Sequence, residues 1–210
     1  EVPYTARDFA PIYGWQSTGG QLNTRRGGPI RTMEDFVAEC RRRRVVVGSI
    51  GRGGAHHLQL LALRRDLGIP FDIAHFNGSS AAYAQVIGGH IDASVAGPAS
   101  ASRALDNLQI VGVFEPERSR ALPDAPTVGE QGLRVQLVPQ LFFVSARAAV
   151  PADRRAALTA AFRESFRDPE LTARMERQGE FPVLLEPERI AEILRAEGAL
   201  VDAFREELRG

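Results

Sequence analysis

The sequence predicts an α/β fold organised around a parallel sheet. Three observations lead there. Apolar, β-branched runs such as Val45-Val46-Val47 recur, and each gives way to a Gly- or Ser-rich loop and then to a stretch with helical apolar spacing. The rhythm strand, loop, helix, strand is the one that βαβ units impose. From Pro151 onward the chain reads as amphipathic helices suited to packing on a sheet.

Residues 1–31 are rich in Gly, Pro and Thr and read as irregular, with Asp8–Ile12, Tyr13 and Trp15 forming an extended lead-in. Thr32 N-caps a helix from Met33 to about Arg42, with Glu34 and Asp35 in its positive first turn. Val45–Gly48 is a buried strand. After its glycine loop, a helix runs from about Ala55 to Leu67, stopped by Gly68 and followed by Pro70. Asp72–Phe76 is the next strand, and Asn77-Gly78-Ser79-Ser80 is a polar turn that caps a helix starting near Ala81 and ending at Gly88-Gly89. Ile91–Ala96 and Leu108–Phe114 are further strands. Thr127 and Glu130 form a T-x-x-E capping box for a short helix that Gly132 stops. Val135–Val144 is an apolar strand interrupted at Pro139. Pro151 sits near the first position of a helix carrying Leu158, Phe162 and Phe166; Asp168-Pro169 opens another; the last uses Ile190, Ile193, Leu194, Leu200, Val201, Phe204 and Leu208.

Bulk composition removes several function classes. The formal net charge is zero, which gives no support for nucleic-acid binding or for attraction to an anionic membrane. The Arg41–Arg44 run falls at a helix C-terminus, where cations favour the dipole, and reads as solvated surface. No residue is Lys, so lysine Schiff-base chemistry and a P-loop lysine are both absent. The single cysteine, Cys40, permits neither an internal disulfide nor a cysteine metal site, and its helical spacing from Met33, Phe36 and Val37 marks a buried small hydrophobe. No apolar run reaches the roughly 18 residues a membrane span needs. The chain opens on Glu1 without a signal peptide and is expected to be a processed or excised piece.

The stretch Val45–Leu58, VVVGSIGRGGAHHL, concentrates the candidate chemistry. Gly48 and Gly53 have Walker spacing, but Gly54 and Ala55 stand where Lys and Ser/Thr belong, and Gly51 and Gly53 are followed by His56 where the dinucleotide pattern needs glycine. A nucleophile elbow at Ser49 would require a small residue at Val47, and no histidine follows His90 to complete a hydrolase order. His56 and His57 are adjacent, so on a helix they point about 100° apart, and no acidic cluster joins them as metal ligands. What remains is a strand, a small-residue loop and a helix N-terminus, which together present free N–H groups to a small anion. A second loop of that kind, Asn77–Ala82, follows the next strand, and Ser49, Ser79 and Ser80 add hydroxyl donors. Two such loops at the ends of neighbouring parallel strands converge on one crevice. The same residues also fit ordinary βα connections.

Taken in order, these segments resemble one family, the substrate-binding receptors of tripartite tricarboxylate transporters (Bug-type periplasmic solute-binding proteins). Tyr4–Ile12 is similar to that family's segment entering the second lobe. VVVGSIGRGGAHHL resembles its G-S-x-G-x-G-[ST]-x-x-H-L loop, FDIAHFNGSSAA its V-P-Y-K-G-x-x-P-A segment, and VIGGHIDASVAG its L-x-G-G-x-V-D strand approach. Glu117–Leu133 resembles its R-x-x-x-L-P-D-V-P-T-x-x-E-x-G hallmark, in which Thr127 and Glu130 read as a structural cap. The resemblance implies a periplasmic-binding-protein type II-like (Venus-flytrap) fold with one complete α/β lobe at residues 12–136. Residues 1–11 and 137–210, with the C-terminal helices, would be the incomplete remainder of the other. It implies a receptor and not an enzyme, without catalytic residue, metal or cofactor. Its partners would be a small organic carboxylate and a membrane permease, with periplasmic localisation, no nucleic acid and no membrane insertion.

Matched motif by motif, the resemblance places Ser49, Gly51, Arg52, Gly53, Gly54 and Ala55 in a first binding loop. Phe76, Asn77, Gly78, Ser79 and Ser80 form a second, with Asp92 at a strand start nearby. Gly54 stands where the family keeps Ser/Thr, and Phe76 and Asn77 replace Tyr and Lys; Arg52 and His56 are additions that would restore positive charge. The family's first strand-loop-helix units have no counterpart, roughly a quarter to a third of a mature member by length. The alternatives are a non-transporting relative, acting as a sensor or a decayed fragment, and a small serine hydrolase using Ser49.

Overall fold

The protein is described by a computed structural model covering residues 3–101 and 104–209, so Glu1, Val2 and Gly210 of the terminal segments lie outside the described residues. In chain order the elements are β1 (Phe9–Thr18), β2 (Gln21–Arg25), α1 (Met33–Arg42), β3 (Val46–Ile50), α2 (Ala55–Leu67), β4 (Asp72–Phe76), α3 (Ser79–Ile87), β5 (Ala93–Ala96), α4 (Pro98–Ala101), β6 (Leu108–Val113), β7 (Gln140–Arg147), α5 (Ala152–Ser165), α6 (Pro169–Arg177), α7 (Pro187–Ala203) and α8 (Arg205–Arg209). The chain divides into two compact units: Glu1–Ser17 with Leu141–Ala199, and Thr18–Gln140 with Leu200–Gly210.

The larger unit is a five-stranded sheet in the order β4-β3-β5-β2-β6. β3 pairs in parallel with both β4 and β5, as the βαβ rhythm requires. β2 departs from the expected all-parallel sheet: it runs antiparallel to β5 and β6. No crossover helix leads into it, and parallel pairing needs such a crossover connection. Its sequence, Gln-Leu-Asn-Thr-Arg, hid it within a segment expected to be irregular. Gln21, Leu22, Asn23 and Thr24 are all buried, and the polar ones find local acceptors: Asn23 Nδ2 donates to the Gln21 and Ser94 carbonyls at 3.0 and 3.1 Å, and Thr24 Oγ1 to the Ile30 carbonyl at 2.8 Å.

Both faces of this sheet are covered. Leu22, Val45, Val47, Val95 and Val111 pack against Met33, Phe36 and Cys40 of α1 and Leu60 and Leu63 of α2. Ala96 and Leu108 pack against Tyr83 and Val86 of α3 on the opposite face. Cys40 is buried, and burial pushes its thiol up to about 12, as an inert core residue requires. The C-terminal return closes a second patch, with Leu200 and Phe204 on Leu58, Leu61, Ala62 and Val138. Expected helices α1, α2 and α6 begin at Met33, Ala55 and Pro169 as read, while α3 begins at Ser79, two residues early. The capping box at Thr127 and Glu130 is formed, with bonds of 2.8 and 3.0 Å, but it closes a turn and no helix follows. Gly132, at φ +76°, ends the segment before a helical turn can propagate.

The smaller unit pairs β1 with β7 and carries α5, α6 and most of α7. β1 extends through the region read as irregular; its Gly14 exchanges bonds of 2.9 and 2.8 Å with Leu185. Ile12, Tyr13 and Ile190 are buried, whereas α5 and α6 bury no residue fully and Phe9, Phe142, Leu158, Val183 and Leu184 are exposed. Helix content ends in two pieces, α7 and α8, in place of one last helix. The lobe boundaries expected at 12 and 136 compare with Thr18 and Gln140 for the larger unit.

Candidate functional site

Parallel pairing fixes which residues share an edge of the sheet. Val46 to Ile50 stand opposite Asp72 to Phe76, so the loops after β3 and β4 leave the sheet side by side. Each feeds a helix N-terminus. The N-cap of α2 is Gly54 and that of α3 is Gly78, and neither helix has a side-chain cap. Contrast α1 and α6, where Thr32 accepts from the Asp35 amide and Asp168 from the Glu170 amide. The first-turn amides of α2 and α3 therefore keep their donors and the positive ends of their dipoles open to an external anion.

The loop after β3 spends some of its own donors. Gly51 N–H bonds the Phe76 carbonyl at 2.9 Å, tying the two loops together. Gly53 N–H donates to His57 Nδ1 at 3.0 Å, which fixes the proton of that ring on Nε2. Gly51 and Gly53 hold φ of +72° and +76°, and a Cβ at either would meet nothing within 4 Å. The glycines are needed for backbone conformation and not for room.

The remaining candidates separate clearly. Arg52, Gly54, Asn77 and Ser80 are exposed at this edge, and Ala55, Phe76, Gly78 and Ser79 are half-buried beside them. Ser49 is fully buried and donates its hydroxyl to the Gly51 carbonyl at 3.1 Å, so it braces the loop and is not displayed as a nucleophile. Asp92 does not join the group. It precedes β5 at the opposite edge, where Oδ1 accepts from Arg43 Nη2 at 2.7 Å and Oδ2 from the Val46 amide at 2.8 Å. That location follows from the register, since Ala93 stands opposite Val47 at the start of β3.

Electrostatically, the edge carries less positive charge than the sequence indicated. Burial holds His56 down to about 4, and burial with His75, Arg52 and Arg64 does the same to His57. Both rings are neutral at pH 7, so His56 adds no cation. The His57 ring meets the edge of His75 with centroids 4.5 Å apart, and burial and Arg52 hold His75 below its usual value. Among the described residues no group of three metal-ligating side chains occurs, and no helix is long and apolar enough to cross a membrane.

Sequence reasoning missed the other half of this edge. β2 begins and β6 ends at the level of Ile50: Gln21 stands opposite both Ala96 and Val113. Beyond them lies Glu115, half-buried, with Oε1 accepting the Gly19 N–H at 2.9 Å. The signals were an acid directly after the apolar run Leu108–Phe114 and the Gly19-Gly20 pair before β2.

Residues 1–201 match the family described as "Tripartite tricarboxylate transporter family receptor". A curated relative, the UPF0065 protein in the gbd 5' region of Cupriavidus necator, is 26% identical over 110 residues, 51% of this chain and 34% of its own length; the match spans about a third of that relative. Among solved structures, a TctC solute-binding protein from Polaromonas superposes with TM-score 0.80 at 22% identity, covering 98% of this chain and 72% of its own. The MatC protein of Rhodopseudomonas palustris, solved with bound malate, gives 0.78 at 20% identity over 99% and 72%. A second R. palustris protein, solved with adipate, gives 0.75 at 18% over 98% and 70%. The α/β fold is thus shared with periplasmic solute-binding proteins.

Proposed function

Because the chain belongs to the tripartite tricarboxylate transporter receptor family, we propose that it captures a small organic carboxylate at the C-terminal edge of β3 and β4. It would act as a periplasmic receptor that delivers this ligand to a membrane permease and performs no chemistry on it. One observation carries the reading. Two neighbouring helices, α2 and α3, begin at this edge with glycine N-caps and no side-chain cap, and Ser79, Ser80 and Arg52 stand beside them. Such a pair of N-termini favours a carboxylate through backbone N–H groups. Malate and adipate in two proteins of the same fold support the ligand class.

The test is a titration-calorimetry screen of C4 to C6 mono- and dicarboxylates, hydroxy acids and amino acids. Binding of at least one at a Kd of about 100 µM or tighter is expected, weakened tenfold or more by Ser79→Pro with Ser80→Pro, which removes first-turn donors. Silence across the panel, with the protein folded by circular dichroism, overturns the reading.

A further inference from the structure

The helix N-termini that offer donors at this edge, those of α2 and α3, follow β3 and β4. On the β2 and β6 side stand two side-chain acceptors, one without a counter-charge and one without a hydrogen-bond partner among the described residues. Glu115 is half-buried, and its one hydrogen bond among the described residues is to the Gly19 amide. No basic side chain of the described residues pairs with it, and burial pushes its carboxyl above the usual range. Desolvating a carboxylate without a counter-charge is unfavourable, and a sheet edge that holds one in place has a use for a cation. The seat is specific: a Cβ on Gly19 would overlap the Phe114 carbonyl and come within 2.7 Å of Glu115 Cγ, so only glycine admits this carboxylate. Gln21 supplies a second, independent sign. It is fully buried, donates Nε2 to the Gly97 carbonyl at 3.0 Å, and leaves Oε1 without a hydrogen-bond partner. A buried amide oxygen left unpaired costs about 1–3 kcal/mol unless something donates to it.

Resting on the carboxylate reading above, we infer that the ligand is a zwitterion, with its carboxylate on the α2 and α3 N-termini and a distal ammonium or guanidinium group on Glu115 and Gln21. Strand spacing sets its length. β6 lies three strands from β3, about 14 Å at ~4.8 Å per strand. Charge-assisted hydrogen bonds of about 2.8 Å at each end leave roughly 8 Å for the ligand. That is the span of an ω-amino acid or a basic amino acid, and it exceeds that of a short amino acid such as alanine.

Three six-carbon acids differ at the distal end: 6-aminohexanoate, hexanoate and adipate, ending in a cation, a methyl and an anion. Calorimetry on the full chain is expected to rank 6-aminohexanoate at least tenfold tighter than hexanoate, with adipate weakest. In Glu115→Gln the amide still accepts from Gly19, and the ratio of 6-aminohexanoate to hexanoate affinity is expected to fall to within about twofold of unity. If adipate or hexanoate binds as tightly as 6-aminohexanoate, or if Glu115→Gln weakens all three equally, the zwitterion inference is wrong while carboxylate capture stands. If no acid binds at all, both fall.

Discussion

At the scale of single residues, the loop after β3 is held by backbone conformation and by one imidazole. Gly53 has open space around it and a φ of +76°. Gly53→Val therefore has room for its Cβ but forces a β-branched residue into the left-handed region, at about 1–2 kcal/mol. The urea midpoint is expected to fall accordingly, whereas Gly54→Ala, at φ −81°, stays within about 0.5 kcal/mol of the parent. His57 acts on the same loop by accepting the Gly53 amide. His57→Ala is expected to speed hydrogen exchange at Gly53 by tenfold or more, while His57→Asn, whose Oδ1 takes the place of Nδ1, restores most of the protection; equal rates in the two variants would dismiss the bond. Asp92 belongs to the opposite edge. Asp92→Ala removes one of the two carboxylate partners of Arg43, Glu39 being the other, and the acceptor of Val46 N–H, so a loss of about 1–3 kcal/mol of stability is expected with ligand affinity unchanged.

Elements show why some of this was legible and some was not. α1, α2, β4 and the loops after β3 and β4 declare themselves through caps, breakers and apolar period, all local signals. β2 does not, because it buries three polar residues, and the Asn23 amide and Thr24 hydroxyl donate to the Ser94 and Ile30 carbonyls, which only the folded sheet brings near. Asp92 was misplaced for a related reason: nearness in a motif says nothing about which edge of the sheet a residue occupies. Glu115 escaped notice because an acid after a strand looks like surface until the Gly19 amide is known to sit against it. α2 carries an acid sensitivity of its own. His56 and His57 are buried and neutral, with values near 4 against 6.5 for the free side chain. Between those values the unfolded chain binds protons that the folded one does not, so stability falls as pH drops from about 6.5 to about 4 and then levels off for these groups. Each contributes on the order of 3 kcal/mol at most. Thermal melts at pH 7, 5.5 and 4.5 should show the fall, and His56→Leu should flatten part of it.

Across the whole molecule, the two units are unequally built. The larger one has both sheet faces covered and a continuous apolar cluster from α1 to Val128. The smaller has a two-stranded sheet and helices α5 and α6 with no fully buried residue. Local stability follows buried apolar contact. Native-state hydrogen exchange is therefore expected to open amides of β7 and α5 at lower free energy than those of β3 and β5; matched protection in the two sets would contradict this. The solved relatives extend past the region that this chain matches, since it covers 72% of the Polaromonas protein. Family membership, the α/β class and the order of the motifs were all readable from the sequence, whereas the uneven burial of the two units emerges only from packing.

The return of Leu200 and Phe204 to the larger unit also bears on how the chain is made. They close the apolar patch of Leu58, Leu61, Ala62 and Val138, yet β7, α5, α6 and most of α7 separate them from Val138 in the sequence. Domains fold as they emerge, N-terminal parts first. The patch on α2 is therefore outside the ribosome while all of that intervening chain is still being made. Until Leu200 and Phe204 follow, it stays bare and within reach of any chaperone that binds hydrophobic surface.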